Sequence, residues 1–234
     1  MRTPQFVPRH SIAPLLLALA LISGCAATTP TITLDSTPTA EGLYEITGTD
    51  ADQAWARSDV DMAQYSKIAV ADIEIDYRPG GDSQTMMTRT VRRSGGPFEV
   101  TDEQKEEFRP IAEEEILEDF ASSRRFALVD EPGPGVLLVT VKLADVVSYI
   151  PPEVAGRNAS LASEYGEATL VLELRDSTTE AIVARVVDRR TAERIDRRVD
   201  FNAPITTAGQ VEELFGSFAR TLRQRLDEVG SLGM

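Results

Sequence analysis

The sequence predicts an α+β fold. It is a two-layer sandwich with an antiparallel sheet of about four to five strands and two helices packed on one face, in the order β-α-β-β-β-β-α. Three observations predict it. Leu137, Val139, Val141 and Leu143 occupy every second position, as do Ala168, Leu170, Leu172 and Leu174, which gives two strands with one buried face each. Two other stretches repeat apolar residues at helical spacing. Successive strands followed by a closing helix put the helices together on one side of a sheet.

The elements follow in order. Tyr65–Tyr77 (YSKIAVADIEIDY) is rich in Ile and Val at strand spacing. Thr101-Asp102-Glu103-Gln104 fits a capping box, in which Thr and Gln satisfy free backbone N–H groups at a helix start. Phe108, Ala112, Ile116 and Phe120 then form one apolar stripe. Pro110 lies inside that span, so a kink is expected there, or a helix that begins at Arg109. Arg125–Asp130 reads as a short strand and Glu131–Gly135 (EPGPG) as a breaker before the long Leu137 strand. Asp176–Thr179 turns the chain from the Ala168 strand into Ala181–Val187. Thr207 to Gln210 offers a second capping box, and Val211, Leu214, Phe215, Phe218, Leu222 and Leu226 mark an amphipathic closing helix.

Residues 1–24 read as an export signal. Arg2 and Arg9 make a positive start, and Ile12–Ile22 is an apolar core of 11 residues, shorter than the roughly 20 needed to span a bilayer. Ile22-Ser23-Gly24-Cys25 resembles the bacterial lipobox, which implies cleavage before Cys25 and lipid on its sulfur. Two acyl chains hold a protein on a membrane. Ala26 after the cysteine resembles the enterobacterial outer-membrane address, so the expected location is the periplasmic face of the outer membrane. Residues 25–54 read as a lipidated N-terminus and Thr/Pro-rich tether, and residues 55–230 as a single domain.

Composition narrows the function. Cys25 is the only cysteine and His10 the only histidine, so the mature chain has no histidine and no free thiol. Loss of Arg2 and Arg9 takes the net charge from −14 to −16, which disfavours nucleic acid, whose phosphates require Lys and Arg. General acid–base and nucleophilic catalysis draw most often on histidine. No Gly-x-Ser-x-Gly, Ser-x-x-Lys, P-loop or His-Glu-x-x-His motif occurs. No catalytic residue, cofactor or metal site is assigned. Ser66 and Lys67 are adjacent and so face opposite ways on a strand, and Gly133-Pro134-Gly135 reads as a turn.

The segments AWARSDVDMAQYSKIAV, RFALVDEPGPGVLLVTVKLADVV, LELRDSTTEAIVARVVDRR and the closing helix resemble a Gram-negative lipoprotein family, domain of unknown function 3313, over Trp55–Leu226. The resemblance implies a lipid anchor and an envelope address, and it implies glycine where Thr179 stands.

Three polar groups are weighed as sites. Asp72, Glu74 and Asp76 share a strand face that offers carboxylates to Ca²⁺. The competing account is a bulge near Ala71–Asp72 that brings Val70 and Ile73 to one face and turns the acids to water. Glu113, Glu114, Glu115, Glu118 and Asp119 offer an acid pair for glycoside cleavage or, more simply, the solvated side of a helix. Asp188–Asp200 carries five arginines and four acids and reads as a salt-bridged strand edge, with an anionic-glycan contact as the alternative. Separately, Pro79–Pro97 is far longer than the usual connection and places Met86, Met87, Arg89, Arg92 and Arg93 together, a combination suited to partner contact. The expected function is a non-catalytic, membrane-tethered lipoprotein that contacts an envelope protein or peptidoglycan. The alternative is an acid-residue hydrolase or a calcium-dependent glycan binder.

Overall fold

The apolar stripes read from the sequence meet in one layer. Leu137, Val139, Val141 and Leu143 are buried, as are Leu170, Leu172 and Leu174, against Phe108, Ala112, Ile116 and Phe120 on one helix and Val211, Leu214, Phe215, Phe218, Leu222 and Leu226 on the other. Each such Val, Leu, Ile or Phe side chain contributes about 1.5–3 kcal/mol on burial. The computed structural model describes residues 30–34, 36–79, 97–150, 164–193 and 207–232.

The strands are β1 (Thr31–Ile32), β2 (Tyr44–Thr47), β3 (Gln53–Ala56), β4 (Lys67–Tyr77), β5 (Ala127–Leu128), β6 (Val136–Ser148), β7 (Glu164–Asp176) and β8 (Ile182–Glu193). The helices are α1 (Asp102–Ala121) and α2 (Thr207–Gly230). From β4 onward the order is the expected β-α-β-β-β-β-α. The sheet is larger than expected and mixed: eight strands in the order β1-β2-β3-β8-β7-β6-β4-β5, with β4 parallel to both β5 and β6 and the remaining pairs antiparallel. The reason is the 20-residue α1. It carries the chain back to the end where β4 began, so the next strands run the same way as β4.

The sheet also begins before the expected boundary at residue 55. Leu43, Ile46 and Ala54 are buried in the stretch expected to be tether. Strands of two to four residues among Thr, Pro and Asp carry too little alternation to announce themselves.

Helix α1 starts at Asp102, not at Arg109. The Thr101 hydroxyl accepts from the Gln104 N–H (3.3 Å), and the Gln104 side chain accepts from the Thr101 N–H (3.0 Å). Pro110 sits inside the helix on its exposed side, where the carbonyl it leaves free can meet water. Helix α2 begins at Thr207, whose side chain lies outside the described residues.

The bulge in β4 is present. The register with β6 shifts between Val70 and Asp72, so Val70 pairs with Val139 and Ile73 with Val141, both on the helix side. The turn after β7 is closed by Asp176, whose Oδ1 accepts from the Thr178 N–H, the Thr179 N–H and the Thr179 hydroxyl at 2.9, 2.7 and 3.0 Å. Its left-handed position is Glu180 (φ 59°), not Thr179.

Candidate functional site

Strand alternation sends every second side chain of the sheet away from the helices. The register aligns Glu45, Trp55, Arg185, Glu173, Thr140 and Asp72 in one row across six strands. Trp55 is half-buried between the buried Ala54 and Ala56, and it is the only tryptophan in the chain. Beside it, Arg185 Nε and Nη2 donate to Glu173 Oε2 at 3.0 and 2.7 Å. Arg185 Nη1 lies 3.5 Å from Glu41 Oε1, and Arg175 Nε donates to Glu173 Oε1 at 2.8 Å. The hydrogen bond to Glu173, opposed by burial and aided by charge, holds the Arg185 guanidinium above its ordinary pKa.

The same face carries two more networks. Lys142 Nζ bridges Glu74 Oε1 (3.0 Å) and Asp76 Oδ2 (2.6 Å), and hydrogen bonds to Asp76 and then Glu74 push its pKa up. Glu167 Oε1 accepts from Arg78 (3.1 Å) and Arg189 (3.2 Å). Arg78 also grips both carboxylate oxygens of Asp145, which holds that carboxyl below its usual range. These side chains form a network of mutually fixed donors and acceptors.

The sequence-derived candidates fall as follows. Glu74 and Asp76 share this face with Asp72 but are bridged by Lys142. Among the described residues no group of three or more His, Cys, Asp or Glu side chains is placed to hold a metal ion. On α1, Glu113 pairs with Arg109 (3.6 Å) and Asp119 with Arg223 (3.2 Å). Glu114 and Glu118 are exposed. Glu115 lies at the α1–α2 seam over Gly216, where a Cβ would come within 2.6 Å of its Oε2. Burial first, then Glu118, Glu212 and Asp119, raise its pKa. The stretch Asp188–Asp200 is described only to Glu193; there β8 pairs with β7, while β3 reaches no further along it than Val187, and Arg189 and Arg190 make ion pairs with Glu167 and Asp188. Cys25, Met86, Met87, Arg89, Arg92 and Arg93 lie outside the described residues. No helix among the described residues is long and apolar enough to cross a membrane.

Two features were not read from the sequence. One is a buried ionic node between β8 and α2. Asp188 is 1% exposed; its Oδ2 accepts from Arg225 Nε (2.7 Å) and lies 2.8 Å from Arg190 Nη2 in an ion pair. Arg225, 6% exposed, also donates to Glu228 Oε1 (2.7 Å) and to the Asp50 carbonyl (3.0 Å). Asp188 Oδ1 and Glu228 Oε2 have no protein partner, and burial raises the Glu228 carboxyl above its ordinary pKa. The other is a groove of about 580 Å³ where α1 and α2 end, lined by Arg124, Arg125, Arg223, Gln224, Asp227, Glu228 and Ser231. Its arginines are partly spent on the fold: Arg125 donates to the carbonyls of Gly230 and Met62 at 2.9 and 2.7 Å. The one available signal for the node was an arginine on the apolar side of the closing helix, next to Leu226.

A family described as a protein of unknown function (DUF3313) matches residues 40–222. No curated protein matches. Among solved structures, the chain is similar to the PelC dodecamer from Paraburkholderia phytofirmans (10% identity, TM-score 0.31, covering 68% of this chain and 89% of that one). It is similar to the hypothetical protein CT253 from Chlamydia trachomatis (11%, 0.34, 69% and 96%). It is also similar to protein XCC0632 from Xanthomonas campestris, of the DUF330 family (12%, 0.35, 86% and 94%).

Proposed function

We propose that this chain, which belongs to the protein family of unknown function DUF3313, is a non-catalytic envelope lipoprotein. Lipid on Cys25 tethers the domain to the periplasmic face of the outer membrane, and the domain acts by contact with an envelope protein or peptidoglycan. The tether rests on the lipobox-like Ile22–Cys25 behind its apolar run. The observation that carries the contact reading is the fate of the carboxylates. Glu74 and Asp76 are bridged by Lys142, Glu173 by two arginines and Asp119 by Arg223. An acid–base pair needs one carboxyl free to hold a proton and the other free to take one; carboxylates fixed by cations instead build a rigid polar surface. Met86, Met87, Arg89, Arg92 and Arg93 supply a second contact element from sequence.

The tether is tested by palmitate labelling. Wild-type chain should incorporate label and partition with membranes, and Cys25→Ser should do neither. Label that persists in Cys25→Ser sinks the assignment.

A further inference from the structure

We propose that the open sheet face around Trp55 binds a neutral glycan chain, stacking a sugar ring on the indole and taking the sugar hydroxyls on the Arg185–Glu173–Arg175 network. This rests on the contact reading above and names its partner by chemistry.

The argument starts from Trp55. Among the described residues, hydrophobic side chains packed on the core include Ile32, Val70, Ile73 and Tyr77, and Trp55 does not join them. Its partly exposed indole is the large aromatic of the open face, placed by register between Glu45 and Arg185. No ring or cation among the described residues stacks on it: the aromatic pair is Phe215 with Phe218, and the cation–ring contacts are Lys105 on Tyr77 and Arg125 on Phe126. An indole left with a free face is a platform for apolar C–H surface, while its N–H seeks a polar partner.

The surroundings select the class of ligand. A protein–protein interface of ordinary size clusters several apolar anchors at its centre and depletes charge there. Here one indole and the partly exposed Val171–Val187 pair are set among charged side chains, so a protein partner would have to desolvate Glu173 and its arginines. A glycan asks for the reverse: one flat apolar ring face per stacking residue and a dense set of donors and acceptors for hydroxyls. Arg185 and Arg175 are already fixed by Glu173, so little side-chain entropy is lost when they receive a ligand. The row from Glu45 to Asp72 crosses six strands, about 24 Å at roughly 4.8 Å per strand, long enough for an extended chain. Carboxylates outnumber guanidinium groups along it (Glu41, Glu45, Glu173 and Asp72 against Arg175 and Arg185), which turns away anionic polysaccharides.

The test uses the full mature chain in detergent micelles. Because Trp55 is the only tryptophan, intrinsic fluorescence reports this site alone. Titration with chitin-derived N-acetylglucosamine oligomers should shift the emission saturably, and polygalacturonate should not. Trp55→Ala should lose retention on insoluble peptidoglycan by about tenfold or more, equivalent to about 1.4 kcal/mol, whereas Trp55→Phe should keep part of it. Glu173→Gln, which frees Arg175 and Arg185, should weaken binding while the melting temperature stays near wild type. Unchanged wild-type emission and no retention on peptidoglycan overturn the proposal. So does loss, in Trp55→Phe and Glu173→Gln envelopes, of a protein crosslink with glycan retention intact, since that assigns the face to a protein. Cys25→Ser separates the two readings: it should abolish membrane attachment and leave the fluorescence titration unchanged.

Discussion

Removing Asp188 should unfold this protein more readily than any change to the exposed ion pairs. Asp188→Ala deletes the carboxylate that two guanidinium groups share at 2.7 and 2.8 Å. Breaking a buried pair from one side costs about 3–5 kcal/mol, because the charge left behind is uncompensated. The two arginines differ in what they lose. Arg190 is a third exposed and can turn to water, whereas Arg225 is 6% exposed and keeps only Glu228 and the Asp50 carbonyl. That partial compensation places the loss near the low end, about 3 kcal/mol, or roughly 6–12 °C in melting temperature for a domain of this size. The companion Arg225→Met should cost a similar amount, since it leaves the buried Asp188 with Arg190 alone, and Asp188 Oδ1 already lacks a protein partner. Asp188→Ala combined with Arg225→Met removes both charges and should cost much less than the sum of the two losses. Urea unfolding followed by circular dichroism gives the four corners of this cycle. A loss below about 1 kcal/mol in Asp188→Ala, or strict additivity of the two changes, would refute the reasoning.

Gly166→Ala should be severely destabilising, because a Cβ there would come within 2.2 Å of the Val147 carbonyl oxygen, a backbone clash that costs about 1–3 kcal/mol or more. Thermal unfolding close to wild type would show that β6 and β7 can separate without penalty. Glu115→Gln should raise the melting temperature at neutral pH and lose that advantage in acid. The folded-state pKa of Glu115 is raised above 4.5, so its stabilising contribution is present below that value and lost as pH rises through the folded pKa. A pH series in which the advantage grew toward acid would reverse the sign and defeat the account.

What was legible depended on how strongly each residue's pattern served one purpose. The β6, β7 and α2 stripes were clear because Leu and Val at fixed spacing face a single core. Even the β4 bulge could be read, since only an inserted residue brings Val70 and Ile73 to one side. The parallel pairing of β4 was missed because alternation fixes which face is buried and not which neighbour a strand takes; the direction came from the return path of α1. Strands β1 to β3 were missed for a different reason. Their short segments are held by pairing with a sheet already formed, as Trp55 with Arg185 and Ala54 with Val186, and no such partner is visible in a local window. Trp55 carries no signal of its own in the sequence, because its row exists only once β3 docks on β8.

The two kinds of polar structure in this domain divide the work. Exposed ion pairs such as Lys142 with Glu74 add little net stability, about 0–1 kcal/mol, because water screens the charges and long side chains must be ordered. The buried node is different in kind. Arg225 reaches from α2 to β8 through Asp188 and to the β2–β3 connection through the Asp50 carbonyl, so one guanidinium ties the N-terminal strands to the rest of the core. Arg189 reinforces that tie, its N–H donating to Asp52 Oδ2 at 2.7 Å. Substitutions in the node should therefore change folding, and substitutions in the sheet-face networks should change surface chemistry at nearly constant stability. That separation is what makes the face testable: Glu173 is only 16% exposed, yet its partners reach solvent and can rehydrate when it is changed to glutamine. Trp55 sits where both influences meet. It is carried by a strand that the node helps to hold, and its indole is turned to the face that the node leaves untouched.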